Sequence, residues 1–256
     1  MEISNKAFVS LLKDCARKKD IQKGIQIHGD ITQKGLLAKS PFLVSALITM
    51  YAKCGMIKRA KNLYDDFRGQ NIVIWNSLIT GYVEHGQVHE TLKCFESMHK
   101  EGVCPDSVTF ICMLKVAGNI GCMEKGMQIH AEIVYRGIFE ENNMCLATAL
   151  VDMYAKCGML VEAHQLHDMV RVRDVISWSA LISGYAQHGQ PQEALNCYEE
   201  MYSEGLSPNA ITFISILKAC GSIGAIEKGI HVHCEIVRKM FLEKNIVLGN
   251  ALVGMY

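Results

Sequence analysis

The chain has 256 residues, half of them hydrophobic, and its 26 Lys plus Arg are matched by 26 Asp plus Glu. That much apolar material excludes a disordered chain and suffices for a large core, or for one continuous core along an elongated body. The zero net charge withholds the basic excess by which a nucleic-acid partner is ordinarily recognised, so any such partner must be argued from pattern. Eleven cysteines without a CxxC pair fit a reducing compartment better than a disulfide framework, and most are expected as small buried hydrophobes. No apolar run approaches the roughly 20 residues of a membrane span. Residues 1–4 carry no signal or transit pattern ahead of the first periodic segment.

Along the chain the dominant feature is self-similarity. Residues 72–106 align without gaps on 175–209 with 16 of 35 positions identical, an offset of 103. The same offset sets ALITMYAKCGM (46–56) on ALVDMYAKCGM (149–159) and TFICMLKVAGNIG (109–121) on TFISILKACGSIG (212–224). Each 103-residue period divides into three two-helix hairpins. In chain order the predicted units are 5–40, 41–71, 72–106, 107–143, 144–174, 175–209 and 210–245, with 246–256 the incomplete start of an eighth. The fifteenth residue of a unit is Gly55, Gly86, Gly121, Gly158, Gly189 and Gly224, and only Lys19 breaks the rule. Glycine there suits the left-handed position that ends a first helix and lets the chain reverse. Before it, apolar residues recur at helical spacing, as in Trp75, Leu78, Ile79 and Tyr82 or Trp178, Leu181, Ile182 and Tyr185. After it, Leu92, Phe95 and Met98 are expected as the buried stripe of a second helix, with Pro105 and Pro208 marking where such helices have ended. A single hairpin cannot bury both of its faces, so neighbours must stack into a superhelix whose concave side is lined by first helices.

Unit lengths of 36, 31, 35, 37, 31, 35 and 36, together with the strings MYAKCG, WNSLITGY and QIHAEI, resemble the pentatricopeptide repeats of land-plant organelle proteins, in the class that alternates long, short and standard units (the PLS class). The unit 107–143 exceeds the usual length by about two residues near 140–143. The resemblance implies an all-α, right-handed superhelical solenoid of helix-turn-helix repeats. It implies sequence-specific binding of single-stranded RNA from an organellar transcript, for site selection in C-to-U editing or other RNA processing, with RNA-editing accessory proteins as further partners. Neither DNA nor a membrane is implied, and no cofactor. Mitochondrion or chloroplast is the implied location. A repeat array of this kind positions RNA and is not itself an enzyme; a deaminase-like domain would lie outside these repeats or in a partner.

By the same resemblance, each base is read by the fifth residue of the first helix and the last residue of the unit. The short units supply Ser45 with Asn71 and Thr148 with Asp174; the standard units supply Asn76 with Asp106 and Ser179 with Asn209. Short polar side chains held by a helix frame can donate or accept at a Watson–Crick edge. The implied preferences are adenine for Ser with Asn, uracil for Asn with Asp, and guanine for Thr with Asp. The long units carry Val9, Ile111 and Ile214 at the fifth position, from which no preference follows. Each polar pair has a plainer alternative, since Asp106 or Asn209 can serve as helix N-caps. The second residues Val73, Val108, Ile176 and Ile211 would wedge between bases, or simply pack. Lys13, Lys115 and Lys218 share the ninth position of the long units, and Lys53 and Lys156 the thirteenth of the short ones. They are candidates for phosphate contact, or solvated lysines near a helix C-terminus.

Two other classes are weighed. A tetratricopeptide scaffold that binds proteins shares the Trp75, Leu78 and Tyr82 spacing, but its period is a uniform 34 and it wants small residues where this chain has Ile79 and Met98. The strings His130-Ala-Glu132 and His233-Cys-Glu235 match half of a zinc-deaminase signature, yet they recur at one repeat position and no P-C-x-x-C follows. No metal site is expected.

Overall fold

The computed structural model describes residues 5–67, 71–139, 143–170, 173–241 and 245–256. Among them are fifteen α-helices and one short 3-10 turn (Leu37–Lys39), with no strand. The chain divides into two compact bodies, Met1–Val116 and Ala117–Tyr256. The first holds α1 (Asn5–Lys18), α2 (Ile21–Gln33), α3 (Pro41–Lys53), α4 (Ile57–Asp66), α5 (Ile72–Glu84) and α6 (Val88–Lys100). The helix α7 (Ser107–Ile120) runs across the division. The second holds α8 (Met123–Tyr135), α9 (Met144–Lys156), α10 (Leu160–Met169), α11 (Val175–Gln187), α12 (Pro191–Ser203), α13 (Ala210–Ile223), α14 (Ile226–Arg238) and α15 (Ile246–Met255). Of the extra length expected at 140–143, only Asn143 lies within the described residues. Its side chain caps α9 by accepting from Leu146 N at 3.2 Å.

Within each body the odd-numbered helices form one layer and the even-numbered a second: α3 packs between α1 and α5, and α11 and α13 between their odd-numbered neighbours. Each of α2, α4, α6, α10, α12 and α14 packs beside its own partner, and α2, α4, α8, α10, α12 and α14 also touch the first helix of the next hairpin. This is the plan of an all-α repeat solenoid. It explains the two kinds of apolar pattern. α11 buries Trp178, Leu181, Ile182, Gly184, Tyr185 and Ala186, residues running most of the way round the helix, because it is covered from three sides. α6 buries a single stripe. That stripe is Thr91, Cys94 and Met98, not the expected Leu92, Phe95 and Met98; Leu92 and Phe95 are only half-buried. The helix turns Thr91 inward at no hydrogen-bonding cost, because its hydroxyl donates to Gln87 O at 2.9 Å. Five of the eleven cysteines are fully buried and all are free; Cys104, Cys145 and Cys234 are exposed.

First helices meet at glycines. A Cβ added at Gly184 of α11 would lie 2.7 Å from the Ala155 Cβ of α9, and one at Gly81 of α5 would lie 2.9 Å from the Ala52 Cβ of α3. In the same way a Cβ on Gly221 of α13 would sit 3.3 Å from Met255 Cα of α15. The helices α2, α8 and α10 are tied to the following hairpin by half-buried histidine–tyrosine pairs: His28 to Tyr51 at 2.7 Å, His130 to Tyr154 and His164 to Tyr185 at 2.8 Å. At the edge of the second body, His233 and Tyr256 make the same contact at 2.9 Å. Tyr82, the counterpart of Tyr185, has Lys61 where the second body has His164, and its buried hydroxyl has no hydrogen-bond partner among the described residues.

The hairpin turns close with a left-handed residue followed by an amide that reaches back five residues, as in Met56 N to Tyr51 O at 2.8 Å and Gln190 N to Tyr185 O at 2.9 Å. Six of the seven turns place glycine there. Lys19, the exception, adopts the same conformation at φ 55°, and Asp20 N reaches Cys15 O at 3.0 Å. The turn geometry therefore prevails over the residue. Met240 at φ 57° does likewise after α14, where α2 and α8 end in Gly35 and Gly137.

One buried group departs from the repeat. His167 on α10 stands where the first body has Tyr64; each meets a tryptophan edge-on, His167 with Trp178 at 4.2 Å and Tyr64 with Trp75 at 5.0 Å between ring centroids. His167 is fully buried, and neither ring nitrogen has a hydrogen-bond partner among the described residues. Burial, aided by the Arg173 guanidinium, pushes its pKa down to about 4.

Three outcomes are expected. An L-residue in the left-handed region costs about 1–2 kcal/mol, of which glycine's extra unfolded-state freedom returns about 0.4–1 kcal/mol. Lys19→Gly and Met240→Gly should therefore each stabilise the chain by roughly 0.5–1 kcal/mol in denaturant unfolding. Gly184→Ala forces α9 and α11 apart and should cost about 1–3 kcal/mol. His167 is held neutral in the fold, so its contribution is complete above its ordinary pKa of about 6.5. As pH falls from there toward 4 the native state resists a proton that the unfolded chain accepts, and up to about 3 kcal/mol is lost. His167→Tyr, which restores the Tyr64 arrangement, should flatten that limb of the stability–pH curve; an unchanged limb would assign it elsewhere.

Candidate nucleic-acid interface

The candidate readers lie at the N-terminal ends of first helices, where orphan backbone N–H groups call for capping side chains. Asn71 caps α5 by accepting from Val73 N at 2.9 Å. Asp174 caps α11 through Ile176 N at 3.1 Å and Ser177 N at 2.8 Å. Asn209 caps α13 through Thr212 N at 3.0 Å, and Asp106 begins α7 by accepting from Thr109 N at 3.0 Å. The capping alternative raised by the sequence thus describes all four last residues of these units.

Capping does not exclude a second role, and in the standard units it coexists with one. Asn76 Nδ2 donates to the cap Asp106 Oδ1 at 2.9 Å, and Asn209 Nδ2 donates to Ser179 Oγ at 3.0 Å. Fifth and last residues of 72–106 and of 175–209 are therefore brought into direct contact, 30 residues apart in the chain in both cases. Asn76 and Ser179 are themselves buried, whereas Asp106 and Asn209 are half-buried. The short units differ. Ser45 Oγ bonds to Ser77 Oγ at 2.7 Å, and no hydrogen bond joins Ser45 to Asn71 or Thr148 to Asp174 among the described residues. In the long units Val9, Ile111 and Ile214 are half-buried and offer no hydrogen-bonding group.

Around these pairs the structure distributes charge and apolar surface. Lys13, Lys115 and Lys218 are exposed and form no ion pair among the described residues. Lys53 reaches Glu84 at 4.0 Å, and Lys156 holds Asp152 at 2.6 Å and Asn119 at 3.4 Å, so these two carry their charge partly neutralised. Of the second-position residues, Val108, Ile176 and Ile211 are exposed and Val73 is half-buried. In the first body a groove of about 590 Å³ runs between α1 and α3, lined by Val9, Lys13, Arg17, Phe42, Ser45 and Lys53. It gathers a candidate reader, three cations and an exposed aromatic ring.

Two participants are not evident from the sequence. Thr109 and Thr212, third residues of the long units, touch both members of the preceding pair; the repeated TF of TFICML and TFISIL was the available signal. Phe42 is the second residue of 41–71 and is two-thirds exposed, in the register already noted for Val108 and Ile176. The two H-x-E strings are engaged in packing. His130 bonds Tyr154, Glu132 holds Arg136 at 2.8 Å, and buried Glu235 is bound by Lys239 at 2.6 Å and by the Tyr198 hydroxyl at 3.3 Å.

Comparison with known proteins agrees with this geometry. The PPR repeat family model matches residues 70–119 and 173–222, and a PPR repeat model matches 42–72 and 146–175, together more than half of the chain. A pentatricopeptide repeat-containing protein of Arabidopsis thaliana is 36% identical over 254 residues, 99% of this chain and 34% of the relative. Two others from the same plant, one named chloroplastic and one mitochondrial, are 32% and 33% identical over 97% of this chain and cover 30% and 36% of their own lengths. The chain spans about a third of the length of these curated relatives. Among solved structures, the pentatricopeptide repeat protein PPR10 in complex with an 18-nt psaJ RNA element superposes over 100% of this chain and 38% of its own, with TM-score 0.79 at 22% identity. A tetratricopeptide repeat protein from Parabacteroides merdae gives 0.66 at 15% identity over 98% of both chains. At such identities the likeness is one of fold, while the repeat models and the plant relatives carry the assignment: the chain belongs to the pentatricopeptide repeat family.

Proposed function

We propose that this chain binds single-stranded RNA along its layer of first helices, about one hairpin to a base. The hairpins are read as the units 5–40, 41–71, 72–106, 107–143, 144–174, 175–209 and 210–245. The observation that carries the reading is the convergence of Asn76 with Asp106 and of Ser179 with Asn209 into hydrogen-bonded pairs at equivalent places in two hairpins. Asp106 and Asn209 retain polar atoms for a ligand, and Val108 and Ile211 stand exposed two residues beyond them, where a flat base can be gripped. Lys13, Lys115 and Lys218, exposed and without an ion pair among the described residues, supply charge for phosphates that the neutral chain as a whole does not. The complex of PPR10 with an RNA element supports the same partner. The alternation of unit lengths supports the PLS class, and with it a role in selecting sites for C-to-U editing in a mitochondrion or chloroplast, alongside editing accessory proteins.

With RNA running 5′ to 3′ from N- to C-terminus, the five units across 41–209 prefer adenine, uracil, any base, guanine and adenine. Anisotropy titrations with RNAs differing at one base test this order. Asn76→Ser combined with Asp106→Asn reproduces the Ser179 and Asn209 pair in a similar frame and should turn the second preference from uracil to adenine. A readout of about 1–3 kcal/mol per base corresponds to about fivefold to 150-fold in affinity. Lys115→Ala should weaken all RNAs alike and reduce the salt slope by about 0.7. Binding indifferent to both base and salt would return the chain to the class of protein-binding helical scaffolds.

A further inference from the structure

We infer that Thr109 and Thr212 are positioning residues that make the readers of the two standard units a preorganised three-residue device, and that the short units lack it. This rests on the RNA-reading assignment above and deepens it.

Thr109 belongs to the following hairpin, yet its hydroxyl lies 2.6 Å from Asn76 Oδ1 and 3.0 Å from Asp106 Oδ1. Thr212 repeats the arrangement, 2.7 Å from Ser179 Oγ and 3.2 Å from Asn209 Oδ1. Hydrogen bookkeeping then decides which atoms remain for a base. Thr109 Oγ1 accepts from Asp106 N at 3.3 Å, so its single proton goes to its nearest acceptor, Asn76 Oδ1. The Asn76 amide is thereby held with its oxygen on Thr109 and one hydrogen on Asp106 Oδ1. What remains is the second Asn76 N–H beside Asp106 Oδ2, a donor next to an acceptor. With Asp106 at N3 and the Asn76 N–H at a flanking carbonyl, uracil offers the complement; cytosine in that register has an acceptor at N3 and faces Asp106 with like polarity, its own complementary pair, N3 with N4–H, requiring the opposite order. In the other standard unit Ser179 Oγ is saturated by Val175 O, Thr212 and Asn209, which leaves the second Asn209 N–H as the open donor.

The third residue of the following hairpin is the variable part. After the short units it is Ile74, which has no hydroxyl, and Ser177, which is spent on the Asp174 cap, donating to Asp174 O at 3.0 Å. Among the described residues, Ser45 and Thr148 are accordingly not joined to their last residues. Preorganised groups discriminate better than groups that must be ordered on binding, so standard units should be the sharp readers of this array.

The test uses the whole 256-residue chain and oligonucleotides varied at one base opposite 72–106 or 175–209. Thr109→Val keeps the shape and removes the hydroxyl. It should reduce the uracil-over-cytosine ratio at 72–106 from about tenfold to under about threefold and leave the adenine preference at 175–209 unchanged; Thr109→Ser should restore the ratio. Thr212→Val should do the reverse, which keeps the test open if either variant folds poorly. Slow hydrogen exchange of the Asn76 side-chain amide, lost in Thr109→Val, would report the same lock without RNA. Unchanged discrimination in both valine variants overturns the positioning role while leaving RNA reading intact. A wild-type chain with no base preference at either unit overturns both.

Discussion

A first helix such as α11 carries more apolar surface than its own hairpin partner can cover, and the surplus is buried by first helices on either side. The approach is close enough that glycine is required where they cross: Gly184 against Ala155, Gly81 against Ala52, Gly221 against the backbone at Met255. Because van der Waals attraction and exclusion of water both depend on that proximity, the crossings set the spacing of successive hairpins. The spacing in turn fixes how far apart the helix N-termini lie, and with them every candidate reader. The histidine–tyrosine pairs act on the same register from the other layer, each tying a second helix to the next hairpin.

The consequence for the proposed function is that the candidate readers of the standard units are not the property of one hairpin. Asp106 ends one unit, caps the first helix of the next, and holds Asn76 of its own; Thr109 reaches back from the following hairpin to complete the group. A side chain with three such duties has its orientation decided before any ligand arrives. The same economy explains how the capping shown by Asp106 and Asn209 leaves room for the reading role proposed for them. A carboxylate or amide has enough hydrogen-bonding positions to satisfy a helix terminus and still present one to solvent.

Charge follows a comparable division. The balanced composition conceals a distribution in which Lys13, Lys115 and Lys218 are exposed on the first-helix layer, without an ion pair among the described residues, while Lys53 and Lys156 are paired with carboxylates. Lysines of the two sequence registers therefore differ in what they can give a phosphate. The acidic partners responsible, Glu84 and Asp152, lie 31 residues beyond and 4 residues before their lysines, and only the second of these is legible as an i, i+4 pair.

The sequence by itself determined the architecture. A 103-residue offset, glycine at the fifteenth position and two apolar periodicities are local signals, and local signals suffice when each hairpin repeats the contacts of the last. They even hold where the residue disagrees, as Lys19 adopts the glycine conformation because the reversal demands it. The tertiary structure decided what depends on contacts between hairpins. It turned Thr91 rather than Leu92 into the core, left Tyr82 and His167 buried without hydrogen-bond partners among the described residues, joined the candidate pairs in the standard units but, among the described residues, not in the short ones, and brought Thr109 and Thr212 onto them. Those outcomes turn on rotations of a helix by one residue and on side chains about 30 positions apart meeting within 3 Å, and no periodicity along the chain encodes a distance across it.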